Sequence, residues 1–468
     1  MLLYPSLKRS NTLERVYCNS AEDFFFITMP YMKISPSVML LSGGETDCSR
    51  YCIAGWDPLI IIWSKGKKGY LWVKGEGTKY LDVYSLLPYV DNIINKISDK
   101  LNYDKDQFIG GFLGYIAYEY KNIVESCLNQ RSKDDICLPD IFWIYPSKVL
   151  VFDKKDFCLN IYIWGFDNTY DNSINFDFKV HHDLLSDRFD FGLIKSNFSR
   201  QAYINAIRQI KYYIRHGDVY QINLSQRFKA EFKGDPLSLF FKLFLSKPAP
   251  FYAYINMGSS YIVSTSMERF LWSDGFIIET RPIKGTRPRG ETVQEDLCYK
   301  QDLLNNPKDD AELSMIVDLL RNDLGKICRS GSVRVKEHKR IETYTYVHHL
   351  VTIIEGELNR YQDMFTQIIN STFPGGSITG CPKIRAMEII DELEPNVRHV
   401  YTGSIGYIGV HHRMDLSIAI RTLIIQDNMS YYGAGGGIVY DSDPEAEYEE
   451  TLNKAKVFFD IIGKKYVF

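Results

Sequence analysis

The spacing of apolar residues divides the chain into a strand-rich first part and a mixed second part. In the first part, runs rich in β-branched and aromatic residues predict strands over 59–63, 70–73, 142–152 and 159–164. Helical spacing predicts a helix over 91–101. A polar run at 167–179 predicts a boundary between an N-terminal subdomain, residues 1–190, and a C-terminal subdomain, residues 191–468.

Helices dominate the predictions for the second part. Ser199 is expected to cap a helix that ends near Gly217. Further helices are predicted over 309–324, 382–394 and 443–462, the last with Asp443 as its cap.

One predicted strand of the second part has a polar face. Alternation over 219–228 places Gln221, Asn223 and Ser225 on the same side. Polar residues on an inward strand face predict a wet cavity.

The stretch T-R-P-I-K-G-T-R-P-R-G at 280–290 predicts a short rigid turn that carries Lys284. Arg281, Arg287 and Arg289 would disfavour the protonated form of this lysine. A lysine discouraged from carrying charge is a candidate nucleophile. A basic surface turn explains the stretch, taken alone, equally well.

Acidic residues of the last predicted helix are candidates for a metal site. Glu447, Glu450 and Lys454 share one helix face, and Glu312 on another helix could join them. Mg²⁺ suits such a set, because it takes few protein carboxylates and keeps several waters. The alternative is that these acids only favour the helix dipole.

Two further segments suggest anion binding. The glycine run at 432–438, expected between a strand and the last helix, could bring backbone N–H groups close to an anion. Arg421 lies in an apolar run that predicts a strand, with Ser417 and Ala419 on its face. It could bind a carboxylate in bidentate fashion or form a buried ion pair.

Two titratable residues have competing interpretations. Glu268, between two predicted strands, could be an acid of raised pKa or could pair with Arg269. His349 could line a site or be a core histidine with satisfied hydrogen bonds.

Composition excludes several classes of function. The 468 residues carry a formal charge of −3, which gives no reason to expect a nucleic acid or an anionic membrane as partner. Nine cysteines without a repeating spacing predict free thiols, and Cys48 and Cys52 lack the further ligands of a zinc site. With no signal-peptide pattern and no 18-residue apolar run, a cytoplasmic location is expected.

Several long motifs follow one another in a single order. They are G-D-V-Y-Q-I-N-L-S-Q-R-F, S-M-E-R-F-L, R-P-I-K-G-T-R-P-R-G, E-L-S-M-I-V-D-L-L-R-N-D-L-G, F-P-G-G-S-I-T-G-C-P-K-I-R-A-M-E-I-I and D-P-E-A-E-Y-E-E-T-L-N-K-A. Together they resemble the chorismate-utilising enzymes, and among these the component I family of aminodeoxychorismate synthases most. The resemblance implies an α+β fold, with two large antiparallel β-sheets packed face to face, helices outside and the active site between the sheets.

The resemblance also implies a role for each matching residue. Lys284 would be the nucleophile, and Glu268 the general acid that protonates the departing 4-hydroxyl of chorismate. The implied Mg²⁺ ligands are Glu312, Glu447 and Glu450. The implied contacts to chorismate are Gln221, Thr286, His349, Ser377, Tyr401, Arg421, Gly435, Gly436, Gly437 and Lys454.

Two positions indicate which reaction of the family to expect. Where water-using members have a lysine base, this chain has Gln221, which points to ammonia as the nucleophile. Anthranilate synthases typically have alanine where this chain has Lys284, so formation of 4-amino-4-deoxychorismate through a lysine adduct at C2 is favoured. Anthranilate synthase component I is the alternative, and a non-catalytic chorismate- or tryptophan-binding subunit is a rival of another class.

The chain lacks a glutaminase motif of its own, so ammonia is expected from solution or from a separate glutamine amidotransferase subunit. In the resembling family, the N-terminal region and the segment matching 248–254 form a tryptophan pocket. Whether tryptophan binds in this chain is left open.

Overall fold

The structure is a computed structural model, which describes residues 4–12, 18–101, 107–166, 189–359 and 362–461. The polar run at 167–179 lies outside the described residues. The division into subdomains at residue 190 therefore stays a prediction.

Strands make up most of the regular structure. In chain order they are β1 (Ser6–Thr12), β2 (Ser37–Leu41), β3 (Tyr51–Lys65), β4 (Lys68–Val73), β5 (Gly77–Asp82), β6 (Gly111–Ile116), β7 (Ile141–Asp153), β8 (Cys158–Gly165), β9 (Asp190–Phe191), β10 (Lys195–Ser196), β11 (Gln221–Lys233), β12 (Phe251–Asn256), β13 (Ser260–Ser266), β14 (Arg269–Ser273), β15 (Ile277–Arg281), β16 (Ile283–Pro288), β17 (Arg334–Thr343), β18 (Val347–Glu357), β19 (Gly380–Cys381), β20 (Ser404–Gly409), β21 (Met414–Ile418), β22 (Thr422–Gln426) and β23 (Met429–Ile438).

Helices connect and cover these strands. They are α1 (Ala21–Met32), α2 (Leu86–Ser98), α3 (Lys121–Val124), α4 (Arg200–Arg215), α5 (Pro236–Ser246), α6 (Val293–Asn305), α7 (Pro307–Gly325), α8 (Met364–Thr372), α9 (Lys383–Leu393) and α10 (Pro444–Ile461).

Every ladder between the strands named above is antiparallel, and the ladders connect all of them into one network. Strands from the two ends of the chain pair with each other, as β2 does with β12 and β6 with β20. The α+β class with large antiparallel sheets is therefore confirmed.

Local sequence signals set the helix ends. The Ser199 hydroxyl accepts a hydrogen bond from Ala202 N, and Asp443 Oδ1 accepts bonds from Glu445 N and Ala446 N, as predicted for the two caps. Helix α2 begins five residues before the predicted start, because Pro88 fits within its first turn.

The helices bury their apolar faces against the sheet. In α4, Tyr203, Ile207 and Ile210 are fully buried, and each such side chain contributes on the order of 2 kcal/mol. Helix α10 packs on β23, and α7 packs on β16 and β18. These contacts bring three distant segments of the chain to one side of the sheet.

Candidate active site

A cavity of about 680 Å³ lies where α7 and α10 cover β16, β18 and β23. Its size suits a small organic molecule. The predicted site residues on its wall are Glu268, Lys284, Thr286, Glu312, His349, Ser377, Tyr401, Arg421, Gly435, Gly436, Gly437, Glu447, Glu450 and Lys454.

Lys284 lies on strand β16, so the predicted short turn is wrong, and so is the alternative of a basic surface turn. Its strand pairs with β18, and the register shifts between Lys284 and Thr286. The intervening Gly285 has φ of 74°, a left-handed conformation that favours glycine. The bulge directs the lysine towards the cavity from a rigid, hydrogen-bonded strand.

The three neighbouring arginines do not act on Lys284 as predicted, because acids neutralise each of them. Arg281 pairs with Asp47 at 2.7 Å, and the other two pair as Arg287 with Asp309 and Arg289 with Asp296. Burial is the main cause that lowers the pKa of Lys284, and Lys454 adds to it. Glu312 and Glu268 oppose the shift.

Glu268 lies in the two-residue connection between β13 and β14 and is 6% exposed. The Ser377 hydroxyl, on a 3₁₀ turn over Gly376–Ile378, donates a 2.6 Å hydrogen bond to its Oε1. Burial raises the pKa of Glu268 to about 7, although Ser377 and Lys284 act in the opposite direction. The alternative pairing with Arg269 is wrong, since that residue binds Asp415 and Glu279.

The acidic residues of α10 face the middle of β23. A Cβ on Gly436 would lie 3.4 Å from Glu447 Oε2 and 3.6 Å from Glu450 Oε1. Lys454 Nζ bonds to Glu450 Oε1 at 2.7 Å and to the Gly435 carbonyl at 2.9 Å. Burial raises the pKa of Glu447, whereas Lys454 brings the pKa of Glu450 below its usual range against the effect of burial.

Glu312 belongs to the same acidic group. It lies on α7, 4.0 Å from Lys308, and burial raises its pKa with a contribution from Glu450. These carboxylates are hard oxygen donors, as Mg²⁺ requires. No three His, Cys, Asp or Glu side chains surround a common point in the described part of the chain. A cation at this wall would therefore take fewer than three of these side chains directly and would keep most of its waters.

The glycine run lies inside β23, and its predicted place between a strand and a helix is wrong. Gly435 pairs with Ser225 and Gly437 with Asn223 across the ladder to β11. Gly435, Gly436 and Gly437 therefore form a part of the sheet that has no side chains. This opens room for a ligand against the backbone.

Arg421 does not lie on a strand, contrary to the prediction. It connects β21 to β22 with φ of 53°, and its Nη1 donates to the Lys454 carbonyl at 2.5 Å. No carboxylate lies within ion-pair distance of it among the described residues, so the buried-ion-pair alternative is wrong. Its charge is available to an anion in the cavity.

His349 and Thr286 face each other across the β16–β18 ladder. Thr286 Oγ1 lies 2.9 Å from His349 Nδ1, while the buried His349 Nε2 has no partner. Burial lowers the pKa of His349 to about 4, helped by the charge of Arg421. The histidine is therefore neutral at pH 7, and the alternative of a fully satisfied core histidine is wrong.

Gln221 is the one predicted site residue that does not line the cavity. Its side chain lies beside Gly437, where an added Cβ would be 2.1 Å from Gln221 Nε2 and 3.7 Å from Lys284 Nζ. Its buried Oε1 has no hydrogen-bond partner among the described residues. The Gln221 amide therefore lies close to the Lys284 amine.

Asn223 and Lys308 are among the cavity residues that were not assigned to the site from the sequence. Asn223 lines the wall, as its place on the polar strand face could have indicated. Lys308 lies one helical turn before Glu312, a spacing that could have identified it.

A second cavity of about 330 Å³ lies between the N-terminal strands and the 250–253 segment. Arg269, Arg281, Glu279 and Asp415 form an ion-pair network in its wall. This is the region where the resemblance predicts a tryptophan pocket. Tyr252 lines both cavities.

All nine cysteines are free, as predicted. None of the helices in the described ranges is long and apolar enough to cross a membrane.

The chain matches known proteins over most of its length. A family profile described as chorismate binding enzyme matches residues 51–460. Aminodeoxychorismate synthase component 1 of Escherichia coli (strain K12) is 38% identical over 441 residues, which are 93% of this chain and 94% of that protein. Anthranilate synthase component 1 of Aquifex aeolicus (strain VF5) is 35% identical, over 86% and 82% of the two chains.

Solved structures also match the chain over most of its length. Anthranilate synthase component I from Streptococcus pneumoniae TIGR4 is 30% identical and superposes with a TM-score of 0.75, covering 89% of this chain and 93% of that one. The menaquinone-specific isochorismate synthase from Escherichia coli shares the fold at 14% identity, with a TM-score of 0.74 over 98% and 95% of the chains. The chain therefore belongs to the chorismate-binding enzyme family and is an enzyme that acts on chorismate.

Proposed function

We propose that this chain is the component I of an aminodeoxychorismate synthase, which forms 4-amino-4-deoxychorismate from chorismate and ammonia for para-aminobenzoate and folate synthesis. The observation that carries the proposal is the position of Lys284 on the wall of the large cavity, beside Glu268. An amine of lowered pKa and a buried acid of raised pKa are suited to act as a nucleophile and a proton donor.

In the first step, neutral Lys284 attacks C2 of chorismate. A C2–N bond forms, the ring double bond shifts, and the C4–O bond breaks. Glu268 donates its proton to the departing 4-hydroxyl, which leaves as water. The proton released from the lysine nitrogen returns to the Glu268 carboxylate, so the acid is regenerated.

In the second step, ammonia attacks C4 of the lysine adduct. A C4–N bond forms, the double bond shifts back, and the C2–N bond to Lys284 breaks. One proton of the new ammonium group moves to the leaving lysine nitrogen, which departs as a neutral amine. The pyruvyl ether is retained. Dividing one displacement in this way is the advantage of nucleophilic catalysis.

The remaining cavity residues bind and orient the substrate. Arg421 has no carboxylate partner among the described residues, and we assign it to a chorismate carboxylate together with Tyr401. Neutral His349 and Ser377 line the ring site, and Thr286 holds the histidine ring. Gly435, Gly436 and Gly437, which form the glycine floor of the cavity, complete the wall together with Lys454.

We assign a Mg²⁺ ion to Glu312 and Glu450, with Glu447 contributing directly or through a water molecule. When bound, the ion would neutralise these acids and a substrate carboxylate. The support is the group of carboxylates on one cavity wall, two of which have raised pKa values.

Ammonia would come from a glutamine amidotransferase subunit or from solution, and the enzyme would work in the cytoplasm. Gln221 beside Gly437 offers an amide where a basic residue would activate water. The second cavity is a candidate site for tryptophan, in line with the resemblance.

The alternative is anthranilate synthase component I, because relatives of that name match at 33–38% identity. Incubation with chorismate, Mg²⁺ and ammonium chloride separates the two. Aminodeoxychorismate with no pyruvate release is the expected product, whereas fluorescent anthranilate with pyruvate would refute the proposal. Without turnover, a binding subunit would be favoured.

The lysine step has its own test. Mass spectrometry after incubation with chorismate and no ammonia should show an adduct of the wild-type chain. The adduct should be lost in Lys284→Ala and kept in Lys308→Ala, which removes a lysine of the same cavity wall. An adduct of unchanged yield in Lys284→Ala would exclude this nucleophile.

A further inference from the structure

We infer that Arg398 is a positioning residue, whose guanidinium fixes the wall segments that carry Ser377, Asn223 and Tyr401. The inference rests on the proposed function, since its readout is the acid step assigned to Glu268. Arg398 is 5% exposed and does not line the large cavity.

The guanidinium uses all five of its N–H donors. The Nε–H group and one N–H of Nη2 donate to the two carboxylate oxygens of Glu394, at 2.8 and 2.6 Å. The other Nη2 hydrogen reaches the Asn223 carbonyl at 2.7 Å, and Nη1 reaches the Ile378 carbonyl at 2.9 Å and Thr402 Oγ1 at 3.4 Å. No other side chain can match this planar fork, and lysine would supply three donors from one point.

Glu394 extends the same network to β11. Its Oε1 also accepts hydrogen bonds from Ser225 N at 2.8 Å and from Ser225 Oγ at 2.9 Å. The pair therefore joins the end of α9, the polar strand β11, the 3₁₀ turn at Ile378 and the loop at Thr402. Three of these segments line the large cavity through Asn223, Ile378 and Tyr401. The turn is also tied to β11 by the short β11–β19 ladder, and the Arg398–Glu394 pair adds the loop at Thr402 and the end of α9 to this unit.

The loop that carries Tyr401 needs such support. His399 and Thr402 have φ of 55° and 62°, and a left-handed conformation is unfavourable for a β-branched residue such as threonine. Conformations of this kind are strained and persist only where surrounding contacts enforce them. The bond from Arg398 to Thr402, next to Tyr401, is one of these contacts.

The link to the proton donor is short. Arg398 holds the carbonyl of Ile378, and the preceding residue, Ser377, donates its hydroxyl to Glu268. A shift of the turn would lengthen the Ser377–Glu268 bond. Because that bond lowers the pKa of Glu268, losing it raises the pKa of the acid.

The test uses Arg398→Lys in the full-length chain, with chorismate and no ammonia. The expected result is a rate constant for adduct formation lowered by about 10- to 100-fold, as for a small misplacement of reacting groups. The high-pH limb of the rate profile should also move to higher pH. In the double variant with Ser377→Ala, the two losses should not multiply, because they act through one contact.

Lys121→Met is the matched control. Lys121 lies in α3 and is a fully buried cation outside the large cavity. It pairs with Asp391 of α9, the helix that ends just before Glu394. The Lys121→Met variant should lower the midpoint temperature of thermal unfolding without moving the pH profile of adduct formation. Arg398→Ala with added guanidinium chloride at millimolar concentration should recover part of the rate, and this keeps the inference testable if Arg398→Lys folds poorly.

Two results would overturn the inference. One is an Arg398→Lys variant that loses stability but keeps the wild-type rate and pH limb. The other is a double variant whose rate loss equals the product of the losses in the two single variants. If the wild-type chain itself forms no adduct, the proposed function fails and not the positioning role.

Discussion

Ser377 and Glu268 are 109 positions apart in the chain, and the serine hydroxyl donates a 2.6 Å hydrogen bond to the glutamate carboxyl. The bond joins a 3₁₀ turn to the connection between β13 and β14. It is the contact through which the protein adjusts the acidity of a buried carboxyl that burial alone would make weaker still.

Replacing Glu268 by glutamine should stabilise the folded chain at neutral pH while it abolishes the acid step. The pKa of Glu268 rises from an ordinary value of 4.5 to about 7 on folding. Its contribution to stability is thus complete below pH 4.5 and is lost as the pH rises to about 7, at a cost of about 3 kcal/mol. At pH 8, Glu268→Gln should unfold at a higher temperature than wild type. This difference in unfolding temperature should be smaller at pH 5. A variant less stable than wild type at pH 8 would contradict the assigned pKa.

Removing the Ser377 hydroxyl should change the pH dependence of the lysine adduct. Adduct formation needs protonated Glu268, so its rate falls as the pH rises through the pKa of that acid. Ser377→Ala removes a bond that lowers this pKa, and the falling limb should move to higher pH. Stopped-flow or quenched mass spectrometry between pH 5 and 9 measures the limb. An unmoved limb in Ser377→Ala would count against the hydrogen bond.

A methyl group on Gly437 should disturb the nucleophile through Gln221. The added carbon would be 2.1 Å from Gln221 Nε2, so the buried glutamine must move at a cost of about 1–3 kcal/mol. We expect Gly437→Ala to slow adduct formation at least tenfold in the same mass-spectrometric assay.

Gly325→Ala is the matched control for this change. Gly325 is the last residue of α7 and has no atom within 4 Å of an added Cβ. Alanine there should be neutral or stabilising by up to about 1 kcal/mol. Equal rates in the two alanine variants would show that the Gly437 contact is not important.

Divalent cation dependence should follow the acids that face β23. Removal of metal with EDTA should abolish chorismate turnover, and added Mg²⁺ should restore it. Glu450→Gln should raise the Mg²⁺ concentration needed for half-maximal rate by tenfold or more, since it removes one hard oxygen ligand. Glu449→Gln, an exposed neighbour outside the cavity, should leave this concentration unchanged. Identical responses of both variants would remove the acids of α10 from the metal site.

Local signals in the sequence were enough for elements whose ends are set by nearby residues. The caps at Ser199 and Asp443 need only a side chain and the two or three following amides, and both formed as predicted. The grouping of Lys284, Glu268, Glu312 and Glu450 came from a family resemblance, and the cavity gathers all four. Spacing alone could not have brought them together, because they come from separate elements.

The errors have a common cause, which is that long-range pairing decided the local structure. Lys284 became part of a strand because β18, more than sixty residues later, pairs with its segment. Arg281 does not disfavour the protonated form of Lys284 as predicted, because it pairs with Asp47, which is 234 positions away. Arg421 lies outside the predicted strand because its φ is left-handed, and the neighbouring residues do not predict this conformation.

The glycine floor of β23 has a consequence for redesign of the substrate range. A methyl at Gly435 would collide with the Leu224 carbonyl at 2.6 Å and one at Gly437 with Gln221, whereas one at Gly436 would meet only ordinary contacts of 3.4–3.8 Å. An engineer who wants to trim the cavity for smaller cyclohexadiene carboxylates therefore has one adjustable position among the three. Alanine at 436 would act as a spacer beside the acidic wall without rebuilding the sheet.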